Sequence, residues 1–259
     1  MRSLLPLCFL LATGLAQAAI VEKTVEYKVG DTVLSSTLVY DDSVKTARPG
    51  LVLVPNWMGA GASAVAKAKQ IAGSKYVILV ADVYGKDLRP ADAQEAGKAA
   101  TAMYADRPAL RARAAAALAQ LKAQADSSPL DSTRLGAIGF CFGGATVLEM
   151  ARDGVELAGV VSFHGNLSTD LPAAKGALKT SLLVQNGADD TYVPAEQIAG
   201  FQQEMTAAGA DWQFVNYAGA VHCFAEPDAN SPGCTYHERS ARRAFRLMDD
   251  FFVERFSAP

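Results

Sequence analysis

Strand-length runs of apolar residues recur along the chain, and stretches of helical character separate most of them. This alternation constrains the fold more than any other feature. The runs are GLVLVP at 50–55, YVILVADV at 76–83, LGAI within 134–138, LAGVVSF at 157–163 and TSLLVQ at 180–185. A run that is apolar at every position suits a strand covered on both faces. Helices are expected over 64–72, 90–124, 142–152 and 195–208. Pro108 divides the second, because proline is accepted at a helix start and not in its interior. A strand at 212–217 follows. An amphipathic helix over 237–256 closes the chain, with Ala241, Ala244, Phe245, Met248, Phe251 and Phe252 on one face. At the other end, 24–29 and 32–40 alternate around Gly30-Asp31, as a β-hairpin does. The pattern predicts an α/β fold, a doubly wound and mostly parallel sheet with helices on both faces and an N-terminal β-hairpin. No linker-like stretch or repeat breaks it, so residues 19–259 read as one domain.

Residues 1–18 have a different character. Arg2 supplies a positive charge, an apolar run extends from Leu4 to Leu15, and Ala16-Gln17-Ala18 places small residues at both cleavage-determining positions. That is the plan of a secretory signal. Cleavage after Ala18 and export to a periplasm or the outside are expected. No other segment reaches about 18 uninterrupted apolar residues, so no membrane association is expected after cleavage. The 259 residues carry a net charge of −3. A mildly acidic chain has no broad basic surface for phosphates, so nucleic acid is a poor partner. The expected partner is a small molecule, and the protein is expected to be a monomer.

In sheets of this kind, functional residues sit on loops at the carboxyl ends of strands. Gly139-Phe140-Cys141-Phe142-Gly143-Gly144 lies between the strand LGAI and a helix, and fits a nucleophile elbow with cysteine in the nucleophile slot. The turn is tight, and side chains two residues either side of the nucleophile would collide with it. The helix starting near Phe142 aims its positive end at Cys141 and favours the thiolate. The acid should come next in the chain. The strand TSLLVQ ends in Asn186-Gly187-Ala188-Asp189-Asp190, from which Asp190 is chosen, with Asp189 as the alternative. Three histidines are present. His222, in the loop after WQFVNY, has the right order and position for the catalytic base. His164 follows GVVSF and faces the same edge, while His237 opens the last helix as a solvated or capping residue.

These motifs resemble the dienelactone hydrolase family of the α/β-hydrolase superfamily, in particular its exported members. The resemblance spans roughly residues 25–256. It rests on GFCFGG at 139–144, GADDTYVP at 187–194, AGAVHCF at 218–224, LVLVPNWMG at 51–59 and ADVYG at 81–85. It implies a Cys141–His222–Asp190 triad and an oxyanion hole made by the amides of Phe142 and Trp57. Two departures stand out. A glutamate restrains and helps ionise the cysteine in that family, and here Asn56 takes its place. Two arginines hold a carboxylated lactone there, and Lys86 and Glu226 stand at the matching positions. Asn56, Tyr84, Lys86 and His164 are the candidate substrate-binding residues, with Trp57 and Phe140 as further pocket lining.

The expected chemistry is hydrolysis of a small ester or lactone through a thioacyl-enzyme, with no cofactor and no metal. Two rival classes remain. His222, Cys223, Cys234 and His237 could form a metal site, and a noncatalytic or redox-active binding protein could use the same fold. After leader removal three cysteines are left, an odd count in an oxidising compartment. Catalysis needs Cys141 free, so a Cys223–Cys234 disulfide is expected to brace the loop that carries His222.

Overall fold

The computed structural model describes residues 20–257, so the leader expected over residues 1–18 lies outside the described residues. The hairpin forms from β1 (Ile20–Val29) and β2 (Thr32–Asp41), joined at Gly30-Asp31. Then come β3 (Arg48–Val54), α1 (Ala62–Ala72), β4 (Val77–Val80), α2 (Ala93–Ala105), α3 (Arg107–Lys122) and β5 (Leu130–Phe140). The second half adds α4 (Phe142–Arg152), β6 (Gly159–Phe163), β7 (Ser181–Gly187), α5 (Ala195–Ala208), β8 (Trp212–Tyr217), the short pair β9 (Asn230–Ser231) and β10 (Cys234–Thr235), and α6 (Glu238–Ser257).

Eight strands form one sheet in the order β1-β2-β4-β3-β5-β6-β7-β8. The hairpin pairs antiparallel, β2 meets β4 antiparallel, and every pairing from β4 to β8 is parallel. The expected mostly parallel sheet with an N-terminal hairpin is therefore present. The apolar runs are buried because two layers of side chains cover the sheet. One layer gathers Val52, Leu79, Ala137 and Val160 under α2–α5, and the other gathers Leu53, Ile78, Phe140 and Phe163 under α1 and α6. In α6, the expected apolar face buries Ala241, Ala244, Met248 and Phe252.

Several strand bounds differ from expectation; β1, for one, begins at Ile20 rather than 24. β4 ends at Val80 rather than 83, because the buried Asp82 carboxylate accepts from the amides of Tyr84 and Gly85 and turns the chain out of the sheet. β5 begins at Leu130 rather than 134, because β3 shifts register between Pro49 and Gly50 and pairs with two separate stretches of it. The carboxyl ends of β3, β5, β6, β7 and β8 all open on one edge, where the loops of interest converge.

Candidate active site

Cys141 follows β5 directly and precedes α4, with a backbone φ of 54°. A non-glycine residue at positive φ is strained, and such strain persists only where surrounding structure enforces it. The flanking glycines show what enforces it. A Cβ at Gly139 would lie 2.0 Å from the Gly143 carbonyl oxygen, and one at Gly143 would lie 2.0 Å from the Val54 carbonyl oxygen. Only a chain bare at both positions can make this turn. The turn points the Cys141 thiol outward while its amide donates to Phe163 O at 3.0 Å.

His222 Nε2 stands 3.1 Å from Cys141 Sγ, and His222 Nδ1 stands 2.7 Å from Asp190 Oδ2. The residues of this line come from the ends of β5, β7 and β8. Asp190 is buried and its other oxygen accepts from the Tyr192 amide, whereas Asp189 is exposed. Of the adjacent pair, Asp190 is the one that meets the His222 ring. Burial alone would lower the His222 pKa. Hydrogen bonds to Asp190 and Cys141, with the charges of both, outweigh it and push the value up to about 10. An imidazolium held beside a sulfur favours the thiolate.

The loop after β3 approaches from the other side. Asn56 Oδ1 accepts from the Met58 amide at 3.0 Å and Asn56 O accepts from the Gly59 amide at 2.9 Å, closing a turn around Trp57. The Tyr84 hydroxyl donates to Trp57 O at 2.9 Å and the Tyr84 ring packs on Phe142. Phe142 is the first residue of α4, where amides have no intrahelical acceptor. Trp57 and Phe142 both line the cavity that holds Cys141 and His222, a space of about 430 Å³. Tyr104 and Tyr192 add two more aromatic rings to its walls, the Cys223–Cys234 pair lies alongside, and among the described residues no Lys, Arg, Asp or Glu contributes to the lining.

Several expected substrate contacts sit elsewhere. Lys86 is on the surface and pairs with Glu26 at 2.7 Å, away from the cavity, because β1 presents a carboxylate to it. Asn56 turns its amide inward to Glu226 at 2.5 Å. Tyr84 braces the Trp57 loop from behind. Phe140 lies in the sheet core, stacked on Phe163. His164 is fully buried beneath the elbow, and its Nδ1 accepts from the Cys141 amide at 3.1 Å. Burial and the positive charges of His222 and Lys67 lower its pKa well below the usual imidazole range, so it is neutral. Sequence order places His164 at this edge but does not show that its positive φ of 40° folds the ring under Cys141.

Cys223 and Cys234 are joined in a disulfide with Cα atoms 4.9 Å apart, and Cys141 is a free thiol. Thr235 N also donates to His222 O at 3.0 Å, so β10 grips the histidine loop from the side. The four-residue metal set does not assemble. Its two sulfurs bond to each other, His222 faces Cys141 and Asp190, and His237 Nδ1 lies 2.7 Å from Ser240 Oγ. Among the described residues, no helix is long and apolar enough to cross a membrane.

Known proteins share this chain's sequence pattern and fold. The sequence pattern of the dienelactone hydrolase family matches residues 36–256. An uncharacterized protein of Caenorhabditis elegans is 33% identical over 156 residues, covering 57% of this chain and 95% of that protein. A Salmonella typhimurium (strain LT2) protein provisionally named carboxymethylenebutenolidase is 32% identical over 132 residues, 48% of this chain and 47% of that protein. The match therefore spans about half the length of that relative. Among solved structures, a dienelactone hydrolase-like promiscuous phosphotriesterase from metagenomic libraries superimposes with a TM-score of 0.85 at 34% identity, over 92% of this chain and 100% of that one.

Proposed function

The chain belongs to the dienelactone hydrolase family, and from that premise we propose that it cleaves small, uncharged esters or lactones with Cys141 as nucleophile. The observation that carries the reading is the unbroken line from Cys141 Sγ through His222 to Asp190, at 3.1 and 2.7 Å. Cys141 thiolate attacks the carbonyl carbon. The developing oxyanion is stabilised by the Phe142 and Trp57 amides, the largest electrostatic contribution in acyl transfer of this kind. The tetrahedral intermediate collapses as His222 gives its Nε2 proton to the leaving alkoxide, which departs as an alcohol. Neutral His222 then takes a proton from water as the hydroxide attacks the thioester, and the tetrahedral intermediate expels the Cys141 thiolate and releases the acid, leaving imidazolium beside thiolate as at the start. Asp190 holds the imidazole in the tautomer and orientation both steps need.

The cavity narrows the substrate. A carboxylated lactone needs a cation to offset its charge; among the described residues the lining offers no Lys or Arg, and the His222 imidazolium is already committed to Asp190 and Cys141. A cavity of about 430 Å³ with Trp57, Tyr104, Phe142 and Tyr192 in its walls suits a neutral acyl or aryl group. The 34%-identical relative, a promiscuous phosphotriesterase, supports neutral phosphotriesters as further substrates of the same site. The disulfide beside His222 fits the export expected from residues 1–18. A panel of aryl esters, alkyl esters and lactones, neutral and carboxylated, tests the reading. Neutral aryl esters should give the highest kcat/KM, and Cys141→Ser should abolish the activity with chelators having no effect. Preference for carboxylated substrates, or activity surviving in Cys141→Ser, would refute it.

A further inference from the structure

Behind the cavity lies a buried polar cluster that the acyl-transfer scheme does not use. Glu226 is 2% exposed and sits four residues after His222, on a turn closed by its own amide donating to Cys223 O at 2.9 Å. Its Oε2 accepts from Asn56 Nδ2 at 2.5 Å and from Lys67 Nζ at 2.7 Å. Lys67 comes from α1, is itself buried, and holds its ammonium 4.2 Å from the centre of the Phe140 ring. The other carboxylate oxygen, Oε1, faces His164 Nε2 at 3.9 Å, and neither atom has a hydrogen-bond partner among the described residues. His164 must carry its proton on Nε2, since Nδ1 accepts from the Cys141 amide. One carboxylate thus meets the Trp57 loop, helix α1 and the imidazole beneath the nucleophile, while covalently continuous with the histidine loop.

A buried charge is costly, and an ion pair in such a place is often matched or bettered in stability by apolar residues. Lys67 and Glu226 are therefore weak candidates for a purely stabilising role. Their geometry suggests another. Asn56 is bonded on both sides: Oδ1 shapes the turn that presents the Trp57 amide, and Nδ2 ties that turn to Glu226. The distance between the oxyanion donor and the general base is set through these two bonds.

Resting on the ester-hydrolase reading, we propose that Glu226 is a positioning residue: through Asn56 it locks the Trp57 loop against the His222 loop, so the oxyanion hole and base stay in register. It touches no substrate. Misplacing a donor by an ångström, or losing it, costs about 10²-fold or more in rate. The effect should fall on the step that develops oxyanion charge and leave the Cys141–His222 pair as it is.

The test uses variants that leave no buried charge unpaired. Lys67→Met with Glu226→Gln keeps an oxygen to accept from Asn56, and kcat for an aryl ester should stay within about fivefold of wild type. Lys67→Met with Glu226→Leu removes that oxygen, and kcat should fall about 30- to 100-fold with KM within about threefold, given the cost of a displaced donor. Asn56→Ala leaves the Lys67–Glu226 pair intact, should show the same fall, and decides the matter if the leucine variant does not fold. Iodoacetamide should alkylate Cys141 at the wild-type rate in all of them. Wild-type kcat in the leucine variant, or in Asn56→Ala, would overturn the proposal. So would a parallel loss of kcat and alkylation rate, which would mean the triad itself had collapsed. A wild-type protein that alkylates at Cys141 but hydrolyses no ester would instead refute the hydrolase reading, and the proposal with it.

Discussion

Helix α4 carries two polar networks, one at each end, and they differ in completeness. At its far end, Arg152 Nε and Nη2 pair with both oxygens of Glu204 at 2.9 and 2.8 Å, Nη1 meets Glu149 at 3.0 Å, and Nη2 also reaches Leu167 O. Arg111 closes the group with two bonds to Glu149, at 2.9 and 2.7 Å. All of these charges are matched, and α3, α4 and α5 are tied together by them. At the near end, Cys141 sits at a φ of 54°, and His164 Nε2 and Glu226 Oε1 lie buried without hydrogen-bond partners among the described residues. Satisfied networks rigidify a fold; strain and unmatched polar atoms concentrate where a site must hold a geometry the chain would not choose. The helix therefore joins a structural anchor to a reactive turn, and the two should respond oppositely to mutation.

The sharpest break comes at the reactive end. Asp190→Asn should lower kcat about 10⁴-fold by releasing the wrong imidazole tautomer, with little change in melting temperature near pH 10, where the His222 charge is lost. Steady-state kinetics beside a thermal melt checks both halves. At the anchor, Arg152→Leu leaves Glu149 and Glu204 short of a buried partner and should cost about 3–5 kcal/mol of stability. The kcat of the folded fraction should stay within about threefold, as read by urea titration with active-site counting. A large kcat loss there would erase the distinction between the two ends.

Smaller effects probe the histidine loop. Replacing Cys223 and Cys234 together by serine should cost about 2–3 kcal/mol in the chain-entropy view of a short loop. It should lower kcat more than it raises KM, because β10 and the disulfide hold His222 from the side. The raised His222 pKa gives a pH signature. A group whose pKa rises on folding adds stability that is full below its unfolded value, near 6.5, and lost as pH climbs through the folded value, about 10. Between those limits the wild type should lose stability relative to Asp190→Asn, and melts across pH 6 to 10 would show the two curves converging. The smallest effect concerns Lys86. Paired with Glu26 at the surface, its replacement by alanine should leave KM for neutral and carboxylated esters unchanged within about twofold. A selective KM rise for carboxylated esters would place it at the substrate after all.

Local features carried much of this into the sequence. The apolar runs gave the parallel strands, glycine spacing marked the elbow at Cys141, and chain order with histidine scarcity pointed to Asp190 and His222. What stayed hidden depends on contacts between distant segments. Glu226 reads as a charge reversal at a substrate position, yet its partners Asn56 and Lys67 lie 170 and 159 residues away. Nothing near Lys67 in its alanine-rich helix signals that its ammonium points inward. Asn56 reads as a lost acid, and only the fold shows it bonded to a carboxylate supplied by another loop. The short β9–β10 pair escaped notice because two-residue strands carry no periodicity.

The most direct measurement is capture of the covalent intermediate. The protein is mixed with a p-nitrophenyl ester, quenched in acid within the first turnover, and examined by intact and peptide mass spectrometry. Cysteine catalysis predicts one acyl group per chain, located on Cys141, labile to hydroxylamine, and accumulating when water attack is slowed by Asp190→Asn. Turnover with the acyl group on another residue, or with none on Cys141 while a Cys141→Ala variant keeps hydrolysing the ester, would contradict it.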